Sequence, residues 1–334
     1  MNIVLATPNF HQPRGNTVTV QRIADGLKQS GHTTEIISMT EDSTITSLPK
    51  ADLVHGFHAY RFFKFKERLN HDIHPYVVTI TGTDLNHDLF NEDKREHVIL
   101  SLTEASAIHV FDEEARQVLV KEIPSTEPKL FTIPQGIVAF PPSQLAFQKE
   151  KGTFLFVLPA GIRKVKNVSF AINMLRLLHE KQPHIRLCIV GPVIEEEEGR
   201  HISYLVEENN EWVTYLGSIP HVDMGTIYSQ TDALLNTSIS EGQSSAILEA
   251  MGHGLPVLVS DNQGNRNIVH HNQTGLVYRS QHEFLDYAEN LVNNNEMRIK
   301  LGQSAQSYID SYHSGKFEVE SILKMYEFVF RNQK

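Results

Sequence analysis

The chain has 334 residues, of which 40% are hydrophobic and 21% charged, and a formal net charge of −10 at pH 7. That length exceeds the ~100–200 residues of an ordinary single domain and favours two domains, each with its own core. The acidic balance excludes a general nucleic-acid binder, which needs a basic surface, and the single cysteine, Cys188, excludes a disulfide framework or a cysteine-based metal site.

The opening apolar run, residues 2–6, predicts a strand, and Pro8 ends it without the basic region and cleavage site of a secretory signal. No run approaches the ~18–20 apolar residues of a membrane span. With an unpaired cysteine, these features lead to the expectation of a soluble, cytoplasmic protein. A helix is predicted over 17–30, then strands over 34–39, 52–56, 75–80, 107–111 and 129–134. Apolar strands without polar alternation, separated by helices, indicate a parallel sheet covered on both faces.

Residues 139–152, AFPPSQLAFQKEKG, interrupt this rhythm and read as a linker. A second series follows: strand 153–158, helix 168–180, strands 186–190, 212–216 and 233–235, helix 244–252 and strand 256–259. Beyond Gly275 the chain reads as helical, with apolar residues at Phe284, Tyr287 and Leu291 and at Ile322, Leu323, Tyr326 and Val329. The expected fold is α/β: two Rossmann-like doubly wound domains facing a cleft, with a helical C-terminal tail. The expected boundaries are 1–145, 150–315 and a terminal helix over 316–334 that packs back towards the N-terminal domain. Ligands of such folds bind where loops leave the carboxyl ends of the strands.

One such loop carries the strongest signal, the stretch NTSISEGQSSAILEAMGHGLPVLV from Asn236 to Val259. Gly242, Gln243, Ser244 and Ser245 would gather backbone N–H groups at a helix start, a setting suited to phosphate or sugar hydroxyls. Glu241 and Glu249 frame it. An ionised carboxylate only accepts hydrogen bonds and can take both hydrogens of a vicinal diol, so Glu249, on the helix face opposite the sheet and aimed at the cleft, suits a ribose or a hexose.

This stretch resembles the E-x7-E motif of the retaining glycosyltransferase family four, whose fold is called GT-B. Here the motif runs from Glu241 to Glu249 and continues through Ala250, Met251, Gly254, Pro256 and Val257. The likeness covers most of the chain and is strongest over 153–278. It implies that Glu241 contacts donor sugar hydroxyls and Glu249 the ribose. The loop Ala160-Gly161-Ile162-Arg163-Lys164-Val165-Lys166-Asn167 resembles the family's G-R-x-x-x-K-G, with Asn167 in place of glycine, so Arg163 and Lys166 inherit the role of holding the departing diphosphate. Preorganised cations there would stabilise the developing negative charge without a metal. No D-x-D or H-E-x-x-H occurs, so no metal and no cofactor is expected.

In the first half, the loop from Pro8 to Thr17 is not the G-x-G-x-x-G of a dinucleotide fold, and the resemblance implies that Gly15 and Asn16 approach the donor phosphate. Thr81-Gly82-Thr83-Asp84 resembles the family's H-G-T-D with threonine in the histidine position, and His58 is a possible substitute. His58, Thr81, Thr83 and Asp84 are therefore the acceptor-side candidates. Asn267 stands where the family's G-G-x-x-E-x-V has glutamate. The base is expected to be read by backbone groups of a loop such as 216–221, with Gly161 and Gly217 on the donor side.

The function implied is metal-independent transfer, with retention, of a sugar from a nucleotide-diphosphate sugar to an acceptor hydroxyl on a glycan, lipid or small molecule. Rival readings are a nucleotide-sugar epimerase of the same architecture, a catalytically silent nucleotide-sugar binder and, from the doubly wound pattern alone, a dinucleotide oxidoreductase. Two further features read as scaffold: Glu195 to Glu198 as a solvated entry to a helix, and YRFFKFKERL from Tyr60 as aromatics on the sheet with basic groups in water, although membrane contact stays open.

Overall fold

The computed structural model describes residues 1–12, 15–42 and 44–332. The chain divides into a first unit of Met1–Val138 and the residues from His313 onward, and a second unit of Ala139–Tyr312. Each contains a six-stranded sheet.

The first sheet comprises β1 (Asn2–Thr7), β2 (Thr33–Ser38), β3 (Leu53–Phe57), β4 (Tyr76–Thr79), β5 (Ala107–Val110) and β6 (Leu130–Thr132), in the order β2-β1-β3-β4-β5-β6 with every pairing parallel. The second comprises β7 (Phe154–Pro159), β8 (Ile185–Val190), β9 (Val213–Tyr215), β10 (Ala233–Asn236), β11 (Val257–Ser260) and β12 (Leu276–Tyr278), in the order β12-β11-β10-β7-β8-β9, again all parallel. β3, β4, β5 and β10 are buried along their whole length, because helices cover both faces of the sheet. The segment just beyond Gly275 corrects the sequence reading: it is the edge strand β12, and helices begin only at Gln281. Three residues, Leu-Val-Tyr, are too few to carry a strand period.

The strand order reverses once in each sheet, between β1 and β3 in the first and between β7 and β10 in the second. At such a point the connections on either side lead away in opposite directions and leave a crevice at the carboxyl ends of the strands.

The helix Gly15–Gln29 buries Val20, Ile23 and Leu27, and the helix Gly315–Arg331 packs beside it in the same core through Val319, Ile322, Met325, Tyr326 and Val329. The Arg22 guanidinium donates to both oxygens of Glu318, at 2.8 and 2.9 Å, in a buried pair. A bidentate geometry offsets the desolvation of two charges that would be costly if either were left alone.

Beneath this helix runs a buried polar chain. Tyr326 Oη lies 2.7 Å from His55 Nδ1, His55 Nε2 lies 2.6 Å from Thr79 Oγ1, Thr79 Oγ1 lies 2.9 Å from His109 Nδ1, and His109 Nε2 lies 2.9 Å from the Ile133 carbonyl. Burial holds the pKa values of both imidazoles below the ordinary one and favours neutral rings; the carbonyl can only accept, and with neutral rings that fixes every proton. His109 donates from Nε2, Thr79 donates to His109 Nδ1, His55 donates from Nε2 to Thr79, and Tyr326 donates to His55.

The segment 139–152, read from sequence as a linker, is held by the second unit. Lys149 pairs with Asp232 at 2.8 Å, the Ser143 hydroxyl donates to Asp223, and the Phe140 ring packs on His221, Tyr228 and His253. Among the described residues no helix is long and apolar enough to cross a membrane. The aromatic-basic helix Ala59–Lys66 buries Phe62 and Phe65 in the first core.

Candidate active site

The two loops that flank the reversal in the second sheet carry the charged residues. After β7 the chain passes Gly161 and Arg163, makes one tight helical turn over Lys164–Lys166, and reverses at Asn167 with φ 49° and ψ 43°. That left-handed conformation suits glycine or asparagine, which accounts for asparagine at a position where the family resemblance leads one to expect glycine. After β10 the chain crosses to Glu241 and enters the helix Ser245–Gly252. Cross-bonds tie the loops together: Ile239 N–H donates to the Val165 carbonyl at 2.8 Å, and the Thr237 hydroxyl lies 3.0 Å from the carbonyls of both Lys166 and Asn167.

At their junction Lys166 Nζ lies 2.5 Å from Glu241 Oε1. Ser238 Oγ and Asn236 Nδ2 donate to the same oxygen, at 2.7 and 3.1 Å. All three donors converge on Oε1, and among the described residues no hydrogen bond reaches Oε2. Burial raises the pKa of Glu241, yet the adjacent Lys166 charge and the bonds from Lys166, Ser238 and Asn236 outweigh it and hold the carboxyl below its ordinary value. Glu241 is therefore an anion. Arg163 is half-buried, and its side chain makes no hydrogen bond or ion pair with any described residue. One cation at the site is thus committed to a carboxylate and the other is available to an incoming anion.

The loop at Glu241 is supported from below. Asn265, fully buried, donates from Nδ2 to Asn236 Oδ1 at 3.2 Å and to Ser260. A Cβ at Gly264 would come within 1.8 Å of the Gly242 carbonyl oxygen, so only glycine allows this close approach. Ser244 stands at the N-cap of the helix Ser245–Gly252 without capping it through its side chain. Gly242, Gln243, Ser244 and Ser245 are all half-buried at this helix start.

Glu249 is held by partners from outside its own helix. Its residue is only 6% exposed; Oε1 lies 2.8 Å from His221 Nε2, and Oε2 accepts from the Tyr228 hydroxyl at 3.2 Å. The helix is enclosed rather than set on the surface: Gln306, on the helix Asn295–Tyr312, donates to the Gly252 carbonyl, and a Cβ on Gly302 would strike the Gly254 carbonyl at 2.0 Å. Gly217, with φ +69°, shapes the loop that leads from β9 to His221. Gly161 lies against Ile194. Asn267 ends the short helix Gln263–Arg266, whose Gly264 touches the Glu241 loop.

In the first unit, His58 follows β3 at the reversal point, with φ +76°, an unfavourable region for a residue bearing a Cβ. Its Nδ1 is 3.9 Å from Asp84 Oδ2 and its Nε2 3.7 Å from Asp88 Oδ2. Asp84 is fully buried, and burial pushes its pKa up against the opposing influence of His58 and of its hydrogen bonds. Its oxygens accept from Ala59 N–H, Thr81 N–H and the Thr81 hydroxyl, at 2.7, 2.7 and 2.8 Å. Asp84 thus joins the helix starts at Ala59 and Gly82 and has no exposed oxygen for an acceptor. Thr81 is half-buried with its hydroxyl turned to Asp84, whereas Thr83 is exposed. Gly15, exposed, opens the helix Gly15–Gln29, so Asn16 lies within the first turn rather than capping it. Pro13 and Arg14 of that loop lie outside the described residues.

The structure thus brings Arg163, Lys166, Glu241 and the 242–245 helix start to one reversal point, and His58, Thr81 and Asp84 to the other unit. Sequence reasoning missed Asn236, Ser238 and Asn265, which fix Glu241, and His221 and Tyr228, which hold Glu249. A terminal asparagine on the otherwise apolar strand ALLN was the one local signal for the first group. Among the described residues no three His, Cys, Asp or Glu side chains are grouped as a metal site. Glu195, from the acidic run, accepts from the Lys164 N–H at 2.8 Å and steadies the cationic loop, while Glu198 is buried; the run is therefore not simply solvated.

Comparison with known proteins accords with this geometry. The family model described as glycosyl transferases group 1 matches residues 142–308, half of the chain. A Xenopus tropicalis protein named glycosyltransferase 1 domain-containing protein 1 is 29% identical over 316 residues, covering 91% of each chain. Among solved structures, sucrose-phosphate synthase from Thermosynechococcus elongatus superposes with a TM-score of 0.80 at 14% identity, covering 99% of this chain and 100% of the other. Anabaena HepE in complex with UDP and glucose does so with a TM-score of 0.76 at 14% identity, covering 98% and 99%. The chain therefore belongs to the group 1 glycosyl transferases and is an enzyme of GT-B fold that transfers a sugar from a nucleotide-sugar donor.

Proposed function

We propose that the second unit binds a uridine-diphosphate sugar and that its sugar is transferred, with retention and without a metal, to an acceptor hydroxyl. The observation that carries this reading is the contrast between Lys166, paired with Glu241, and Arg163, half-buried and without a side-chain partner among the described residues, on one loop of the reversal point. Uridine is favoured because HepE, similar across 98% of the chain, binds UDP and glucose.

Arg163 and Lys166 hold the diphosphate and stabilise the charge that grows on the leaving phosphate as the sugar–phosphate bond breaks. Positive charge already in place requires no reorganisation at that moment. The helix start at 242–245 supplies backbone donors. Glu241 accepts from sugar hydroxyls through Oε2, and Glu249 accepts from the ribose through the lone pairs that His221 and Tyr228 leave. Gly15 and Asn16 approach the donor phosphate, and acceptor recognition is assigned to the first unit around His58, Thr81 and Thr83. The lone Cys188, buried with its pKa pushed up to about 12, suits a reducing cytoplasm.

Release of UDP from UDP-sugars, measured with a panel of hydroxyl acceptors in the presence of a chelator, tests the reading. Arg163→Ala combined with Lys166→Ala should lower turnover by about 10³-fold or more. Undiminished transfer by the double variant would overturn the assignment.

A further inference from the structure

Glu249 is reached by two donors from outside its own helix, and only one of them is buried. Tyr228 is buried and donates to Oε2, whereas His221 has a side chain 40% exposed yet places Nε2 2.8 Å from Oε1. A half-exposed side chain normally turns freely in solvent. This one is fixed by where the chain puts it: Pro220 caps the single turn His221–Asp223 that leads into the helix Met224–Ser229, and the Phe140 ring packs on the imidazole with centroids 5.1 Å apart. Gly225 leaves room for Phe140, since a Cβ there would fall 2.6 Å from Phe140 Cβ.

A carboxylate has about four acceptor positions. Tyr228 alone would leave the group free to swing about its terminal torsion, which is broad for glutamate. A second donor on the other oxygen fixes the plane and leaves an acceptor position on each oxygen for two neighbouring hydroxyls. We propose that His221 is a positioning residue for ribose recognition: it locks the Glu249 carboxylate so that its remaining lone pairs meet a vicinal diol, and so sets the preference for a ribonucleotide over a 2′-deoxyribonucleotide donor. This rests on the donor reading of the second unit given above.

Calorimetric titration with UDP and with 2′-deoxyUDP tests it, on the wild type, His221→Ala, His221→Gln and Glu249→Ala. The wild type should prefer UDP. His221→Ala should weaken UDP by about tenfold, the scale of one hydrogen bond to a charged group, and bring the UDP/2′-deoxyUDP ratio towards one. His221→Gln, which keeps an N–H donor, should restore part of that ratio. If Glu249→Ala abolishes the preference while His221→Ala keeps it, the positioning role is overturned and the ribose assignment stands. If Glu249→Ala also keeps it, or the wild type binds no UDP, the donor reading itself fails. Should His221→Ala fail to fold, His221→Leu, which also lacks a donor, decides in its place: a ratio below the wild type's supports the role and an unchanged ratio overturns it.

Discussion

Two reversal points of one topology have been filled in opposite ways. In the second unit the flanking loops bring Lys166, Glu241 and Arg163, whose side chain has no partner among the described residues, to the carboxyl ends of β7 and β10, half-buried and charged. In the first, the groups beside His58 are enclosed: Asp84, after β4, gives both oxygens to backbone and hydroxyl donors, and the strands behind it carry a histidine chain that ends on the C-terminal helix. The fold provides the crevice in both. Around Asp84 the described polar groups satisfy one another, whereas at the second reversal point the Arg163 side chain has no partner among the described residues.

Breaking the ionic arrangement should have the largest effect. Lys166→Ala leaves Glu241 buried without its cation, which should cost about 3–5 kcal/mol and lower turnover by about 10²–10³-fold. Adding Glu241→Gln should return part of the stability, read from denaturant midpoints, and none of the activity. Gly264→Ala should come next. Its Cβ cannot coexist with the Gly242 carbonyl, so the loop must move at about 1–3 kcal/mol, and donor affinity should fall with it.

The first unit sharpens the contrast, because its chain is structural. Thr79→Val leaves a ring nitrogen of His109 unpaired and should cost about 1–3 kcal/mol, while turnover per folded molecule stays at the wild-type level. Acid should act on the same chain. His55 and His109 have pKa values in the folded protein below the ordinary 6.5, so the unfolded chain binds more protons as the pH falls. Their contribution is complete above about pH 6.5 and is lost progressively below it. Melting temperatures that begin to fall near pH 6.5 would agree, and melting temperatures constant to pH 5 would not. The smallest stability effect is expected for Arg163→Ala, within about 0.5 kcal/mol, because no described residue depends on that side chain.

Much of the second unit was legible in the sequence because its signals are local. The apolar runs of β7, β8, β10 and β11 and the string from Glu241 to Val257 each lie within one stretch of chain, and the Arg163–Lys166 loop follows directly on a strand. What escaped depends on distant partners. Nothing near Glu249 announces His221, 28 residues away, as its partner. The histidine chain joins residues from β3, β4, β5 and the last helix, separated by up to 271 positions, and no spacing rule links them. β12 was missed for the opposite reason, since three residues hold too little pattern.

The most direct test of the donor site is UDP affinity, measured by calorimetry without divalent cation, for the wild type and Arg163→Ala at matched folded fraction. The account predicts binding to the wild type and a loss of about tenfold or more in the variant, whose fold is undisturbed. Equal affinity in the two proteins would contradict it and move the diphosphate away from this reversal point.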